Sequence, residues 1–237
     1  MAEWYKSIAE FLGQDPFFTL LEYAGTFAGA ISGVRLASRK RFDWFGAYVI
    51  GLVTALGGGT LRDIMLNMEP FWIQGPSYIV ITFLAVVSIS LFGRRFIDGH
   101  VTWFVFDTIS ISLFMVIGLE KTLKTGHPWW CAIFMGVITA VFGGVLRDIC
   151  INEVPLIFRK EIYALACAAG GAMYLPLLYW AGLDSRICAT VCMVTIFVVR
   201  ALAIRYHLGV PVLTGRSSRL FHHHSRAKTS RISDKVV

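Results

Sequence analysis

Gly57-Gly58-Gly59-Thr60-Leu61-Arg62-Asp63 stands inside an apolar stretch long enough to span a bilayer, and it returns, degraded, as Gly143-Gly144-Val145-Leu146-Arg147-Asp148. Neither the glycines nor the charged pair has a cheap place in a membrane helix. Glycine is a poor helix former that lets the chain leave helical dihedrals, and ionised Arg or Asp at membrane depth is costly unless paired or hydrated. Two such runs point to a built site and predict breaks in both helices.

Working outward, 56% of the 237 residues are hydrophobic and only 16% are charged. With a mean hydropathy of +0.65, this is the composition of a polytopic membrane protein, and the length suits one compact bundle. No cleavable signal peptide is expected, because the first sixteen residues lack an apolar core before a small-residue cleavage site. The net charge of +7 lies mostly in loops and the tail, so it reports topology and not nucleic-acid binding. Cys131, Cys150, Cys167, Cys188 and Cys192 all fall in or beside apolar segments without metal-like spacing, and read as small buried side chains.

Apolar windows predict an all-α membrane protein with seven transmembrane helices, near 17–36, 44–66, 77–93, 102–120, 129–151, 162–181 and 186–206. One side of the membrane then collects Arg35, Arg39, Lys40, Arg41, Arg94, Arg95, Arg159, Lys160 and the basic tail, whereas the other carries only Lys6, Lys121, Lys124 and Arg186. The positive-inside rule places the N-terminus outside and the C-terminus in the cytoplasm.

One register, 85 residues, aligns the chain with itself without a gap. It superposes Arg62 on Arg147, Trp44 on Trp129, Gly51 on Gly136, Thr54-Ala55 on Thr139-Ala140, Asn67 on Asn152, Pro70 on Pro155, Gly33 on Gly118 and Glu22 on Asp107. Such agreement is a duplication. Each copy holds three helices, an odd number, so the second enters the membrane from the opposite side and the repeat is inverted. The expected organisation is an external segment 1–16, a first repeat 17–93, a linker 94–101, a second repeat 102–181, a seventh helix 186–206 at the periphery or a subunit contact, and a basic tail 207–237.

A break at Gly57–Gly59 would free the carbonyls of Thr54, Ala55 and Leu56, and helix five would repeat this at Thr139, Ala140 and Val141 before Gly143 and Gly144. Unwound carbonyls attract small cations, so a monovalent cation path is the simplest chemistry available. Packing is the alternative reading of the glycines, and it is the favoured one for the Gly25-Gly29-Gly33 ridge of helix one. Adjacent Arg62 and Asp63 point about 100° apart on a helix. Cross-repeat pairs are therefore expected, Arg62 with Asp148 and Arg147 with Asp63, unless the arginines snorkel to an interface as topology anchors. Glu22 and Asp107 are candidates for an outer and an inner acidic vestibule, or for ordinary interfacial acids. His222-His223-His224 does not preorganise a tetrahedral metal site, and the tail suits anionic lipid better. No hydrolase triad, phosphate loop or dinucleotide-binding glycine pattern occurs, so no enzyme and no cofactor is expected.

The two runs extend to GGGTLRDIML followed by Pro70-Phe71-Trp72, and to FGGVLRDICINEVP. In these the chain resembles the bacterial trimeric intracellular cation (TRIC) channel homologues, whose repeated domain is also known as a glycine-transporter domain. The resemblance spans about residues 17 to 206. It implies a homotrimer in the bacterial inner membrane with one pore per protomer, lined by helices two and five kinked at Gly57, Gly58, Gly59, Gly143 and Gly144, and K⁺ or Na⁺, chiefly K⁺, as the permeant ion. Phe142 replaces the first glycine of the second triplet, which puts symmetric ion sites in doubt. Lys160-Glu161-Ile162 only superficially echoes the animal channels' Lys-Glu-Val motif. A transporter of glycine or another small zwitterion shares the scaffold and remains the alternative, with Asp63 or Asp148 as the partner of the amine.

Overall fold

The computed structural model describes residues 15–97, 100–158, 162–206 and 208, with side chains described outside 92–103. Most of the expected external segment, residues 159–161 with most of the Lys-Glu-Val echo, and the tail with His222–His224 lie outside the described residues. Among the described residues there are seven α-helices: α1 Pro16–Arg39, α2 Trp44–Met65, α3 Ser77–Ile97, α4 His100–Lys124, α5 Trp129–Cys150, α6 Ala164–Tyr179 and α7 Ser185–Arg205. Among the described residues there is no strand.

Local chemistry sets the helix starts. The Asp15 carboxylate accepts from the Phe17 amide at 3.0 Å with Pro16 in the first turn, Asp43 caps α2 through Gly46 N at 2.7 Å, and Asp184 caps α7 through Arg186 N at 3.0 Å. The expected linker 94–101 is shorter than the hydropathy suggests, because α3 runs to Ile97 and α4 begins at His100, leaving only 98–99 outside the described residues. Charge marks where the hydrocarbon ends, and a helix is free to continue beyond it.

α1, α2, α4 and α5 form the centre, with α3 against α1 and α2, α6 against α4 and α5, and α7 against α6 and α4. The apolar core has two lobes. One joins Ala30, Val34, Ile50 and Ala85 of the first three helices; the other joins Met115, Leu119, Tyr174 and Ile196 of α4, α6 and α7. Each repeat thus buries its own lobe, and α7 completes the second. Trp44 and Phe45 at the start of α2, and their counterparts Trp129 and Trp130 at the start of α5, are exposed. They form aromatic girdles suited to the two membrane interfaces.

Equivalent positions of the two repeats meet in reciprocal pairs. Gly25 lies against the Phe114 ring and Gly29 against Ser110, which occupy each other's repeat positions, while Ser110 Oγ donates to the carbonyl of its own counterpart, Gly25, at 3.3 Å. On α2 and α5, Gly58 abuts the Thr139 carbonyl and Gly143 the Thr54 carbonyl. Residue numbers that rise on one helix and fall on the other mean that both pairs cross antiparallel, as an inverted repeat requires.

Candidate functional site

The sequence places its glycines and charges at the α2–α5 crossing, and the structure resolves their roles differently. α2 and α5 are uninterrupted α-helices from Trp44 to Met65 and from Trp129 to Cys150. The breaks expected at Gly57–Gly59 and Gly143–Gly144 are absent, so Thr54, Ala55, Leu56, Thr139 and Ala140 lie within regular helix. The reason is packing at zero side-chain thickness: a Cβ at Gly58 or Gly143 would collide with the facing threonine carbonyl, and one at Gly59 would stand 2.5 Å from the Phe71 ring. Glycine here lets two backbones touch, as small residues do throughout membrane helix contacts. Gly33 and Gly118 do the same beneath the Thr54 and Thr139 side chains. The ridge on α1 is packing, as expected, but so is the triple glycine. Phe142 is 37% exposed, so it lies outside this contact and narrows nothing there.

The expected cross-repeat ion pairs do not form either. Arg62 reaches its own neighbour, with Nε and Nη2 each 2.8 Å from Asp63 Oδ1, and Arg147 Nε lies 2.9 Å from Asp148 Oδ1. The long arginine stem spans the 100° that separates adjacent helical positions. The carboxylate is also turned toward it, because its second oxygen is engaged elsewhere. Asp63 Oδ2 accepts from the Phe71 amide at 2.9 Å, and Asp148 Oδ2 from the Leu156 amide at 3.1 Å. Each Asp therefore pins the chain leaving the helix, which turns through Asn67 or Asn152 in the left-handed region, φ 55° and 56°, into a short 3-10 helix. The whole run from Arg-Asp through Asn to Pro is one twice-used device that caps a helix and buries an arginine. All four charged side chains are buried, so neither cross-repeat contact nor headgroup anchoring describes them.

Around each arginine a charge cluster closes. The first, at the C-terminal end of α2, joins Arg62, Asp63 and Lys121, whose ammonium lies 3.5 Å from Asp63 Oδ1. Phe71 presents its ring to both cations, at 5.9 and 5.7 Å, and stacks edge-on with Tyr78, which donates to Glu22 at 2.8 Å. The second, at the C-terminal end of α5, joins Arg147 and Asp148 with Asp107. Arg147 Nη1 donates to Asp107 Oδ1 at 3.0 Å and to Ser32 Oγ at 2.8 Å. Arg200 of α7 adds a further cation, 3.5 Å from Asp107 Oδ2 and 4.5 Å above the Tyr163 ring. Two cations meet two carboxylates at the second end, and at the first they meet Asp63, with Glu22 joined through Tyr78.

Asp107 does not face an open vestibule in this structure. Its carboxylate is 3% exposed and enclosed by two guanidinium groups. Glu22 is half-buried and held by Tyr78. Nor is α7 merely peripheral: one face covers the second lobe and delivers Arg200 to the interior. Sequence reasoning passed over Lys121, Arg200, Ser32, Tyr78 and Tyr163. Tyr78 and Tyr163 also stand 85 residues apart, and Arg200 is a lone charge between Val199 and Ala201 in an apolar helix, so both signals were present. Between the two clusters lie the buried hydroxyls of Thr26, Thr54, Ser110 and Thr139, each donating to a backbone carbonyl. The arrangement is a charge cluster at each end of a backbone-tight helix crossing.

Fold and site together define a multi-pass helical membrane protein built from two inverted three-helix repeats and a seventh helix. The family described as Glycine transporter matches residues 19–94 and again 104–179, segments that begin 85 residues apart. The chain belongs to this family, the TRIC family. It is 38% identical to the UPF0126 inner membrane protein YadS of Escherichia coli (strain K12) over 195 residues, 81% of this chain and 93% of that protein. A UPF0126 membrane protein of Vibrio cholerae is 37% identical over 196 residues, 81% of each chain. Among solved structures, the TRIC trimeric intracellular cation channel orthologue from Rhodobacter sphaeroides is similar at TM-score 0.78 and 34% identity, covering 82% of this chain and 100% of that one. A second TRIC cation channel is similar at TM-score 0.76 and 30% identity, covering 85% and 99%. These relatives are channels and membrane proteins, not enzymes.

Proposed function

We propose that this chain is a monovalent cation channel of the bacterial inner membrane, chiefly for K⁺, assembled as a homotrimer with one ion path in each protomer. The observation that carries the reading is the pair of charge-balanced clusters, Arg62-Asp63-Lys121-Glu22 and Arg147-Asp148-Asp107-Arg200, at opposite ends of one glycine-tight helix crossing with hydroxyls between them. A channel needs a polar path with weak sites, and a carboxylate can serve a permeant cation only where its protein partner is loosely held. In this reading the contacts of Gly58 and Gly143 with the facing threonine carbonyls are the constriction, and Gly57 to Gly59, Gly143 and Gly144 give α2 and α5 the freedom to part. The kinship with TRIC cation channels at 34% and 30% identity supports it. The excess of basic residues in the loops on one side supports an outside N-terminus and a cytoplasmic C-terminus.

Purified protein in planar bilayers tests the proposal. Unitary currents whose reversal potential follows an imposed K⁺ gradient are expected. The family's description as Glycine transporter defines the competing outcome: electrical silence together with saturable glycine uptake into liposomes would replace the channel by a transporter of small zwitterions.

A further inference from the structure

The two cations at Asp107 are held in different ways. Arg147 is locked: its guanidinium donates to Asp148, Asp107 and Ser32 over 2.8–3.0 Å. Arg200 has no such anchor. Its Nη1 stands 3.5 Å from Asp107 Oδ2, outside good hydrogen-bond geometry, and its carbon centre rests 4.5 and 5.0 Å over the Tyr163 and Phe104 rings. Nη1, Nη2 and Asp107 Oδ2 all lack a hydrogen-bond partner, although Arg200 is only 2% exposed, whereas Arg147 leaves Nη2 unpaired but commits Nε and Nη1. A fully committed buried ion pair saturates its donors and acceptors, since each one left unmade is costly. Ring faces and a long charge contact hold a cation without fixing its direction. Arg200 also comes from the one helix outside the repeat, so the duplication itself does not place it there.

We propose that Arg200 is a tethered cation that occupies, in the closed protein, the place at Asp107 Oδ2 where a monovalent metal cation sits when the path conducts, which makes α7 an inhibitory latch on the second cluster. The inference rests on the cation-path reading. Its physical content is exchange: one unit of positive charge beside Asp107 in either state, supplied by the protein or by the ion. Cluster neutrality is thereby kept throughout, and only Arg200 is held loosely enough to leave.

Full-length protein in planar bilayers with KCl tests this through the two halves of one ion pair. Arg200→Gln is expected to raise mean K⁺ current about tenfold by removing the closed-state contact, and Arg200→Lys to stay near wild type. Asp107→Asn is expected to lower the current, because the ion loses its carboxylate and faces two arginines. A purely structural pair moves both neutral variants in the same direction, and that result overturns the proposal. Should Arg200→Gln not fold, Arg200→Met, which keeps the buried stem and removes the charge, takes its place in the same comparison with Asp107→Asn. A second readout is independent of conduction. K⁺ replacing N-methylglucamine should raise the melting temperature of Arg200→Gln but not of wild type, since a ligand that binds only the folded state stabilises it. That shift in a protein carrying no current would retain the cation site and discard the channel, whereas its absence overturns the site.

Discussion

Gly58 of α2 meets the backbone carbonyl of Thr139 of α5, and the repeat's symmetry returns the contact between Gly143 and Thr54. A methyl group at either glycine points into backbone, which has no rotamer to yield. A Cβ at Gly57 meets instead the far end of the Leu146 side chain at 2.7 Å, which rotates away. Gly58→Ala and Gly143→Ala should each destabilise by about 1–3 kcal/mol through overpacking. Gly57→Ala should be near neutral, because the gain of about 1 kcal/mol in helix propensity offsets the shift of Leu146. Thermal melting in detergent checks the ranking, and equal losses at Gly57 and Gly58 would contradict it.

Asn67 and Asn152 hold φ of 55° and 56° where the chain leaves α2 and α5. Asn tolerates this region and glycine has no penalty in it, whereas a Cβ without a local hydrogen-bonding group costs about 1–2 kcal/mol. Asn67→Gly and Asn152→Gly should therefore melt within a degree or two of wild type, while both alanine variants fall clearly below it. Alanine and glycine behaving alike would remove backbone strain as the reason for asparagine.

Outside the membrane span, Asp15 ties the start of α1 to Arg186 of α7 at 3.1 Å. The Phe17 amide hydrogen bond, and then Arg186, hold its carboxyl below the usual carboxylate range. A lowered folded-state value means that the contribution is present above the ordinary carboxylate pKa, about 3.9, and is lost as pH falls through the folded value. The melting-temperature gap between wild type and Asp15→Asn should accordingly be open near neutrality and close in acid. A gap independent of pH would assign it to something other than the charge.

The helices, the duplication and the inversion were legible because they rest on periodic features: apolar length, and rare residues such as Trp44 and Trp129 recurring at one offset. The site was legible only as a list. Glycine reads identically whether it breaks a helix or lets another backbone touch it, and Gly58 does the second because a partner 81 residues away supplies a carbonyl. Helical angle alone points Arg62 and Asp63 toward distant partners. The Phe71 amide, eight residues downstream, is what turns the carboxylate toward its neighbour, and that loop contact leaves no periodic trace. Arg200 escaped because a lone arginine near a helix end also reads as a topology signal.

The two Arg-Asp runs, alike in sequence, should differ in cost when broken. Removing the carboxylate charge at Asp63 leaves Arg62 buried with its only ion-pair partner among the described residues gone. A broken buried pair of this kind costs about 3–5 kcal/mol. Removing it at Asp148 leaves Arg147 still bound to Asp107 at 3.0 Å and Ser32 at 2.8 Å. Charge-assisted hydrogen bonds of that sort are each worth about 1.5–3 kcal/mol, so Arg147 remains compensated. Both asparagine variants keep an oxygen to accept from the Phe71 or Leu156 amide, so the loops contribute equally to the comparison. Asp63→Asn should unfold at a lower denaturant concentration than Asp148→Asn, and adding Asp107→Asn to Asp148→Asn should bring the second cluster down to the level of the first. Equal midpoints for the single variants would mean that Asp107 does not share the charge of Arg147.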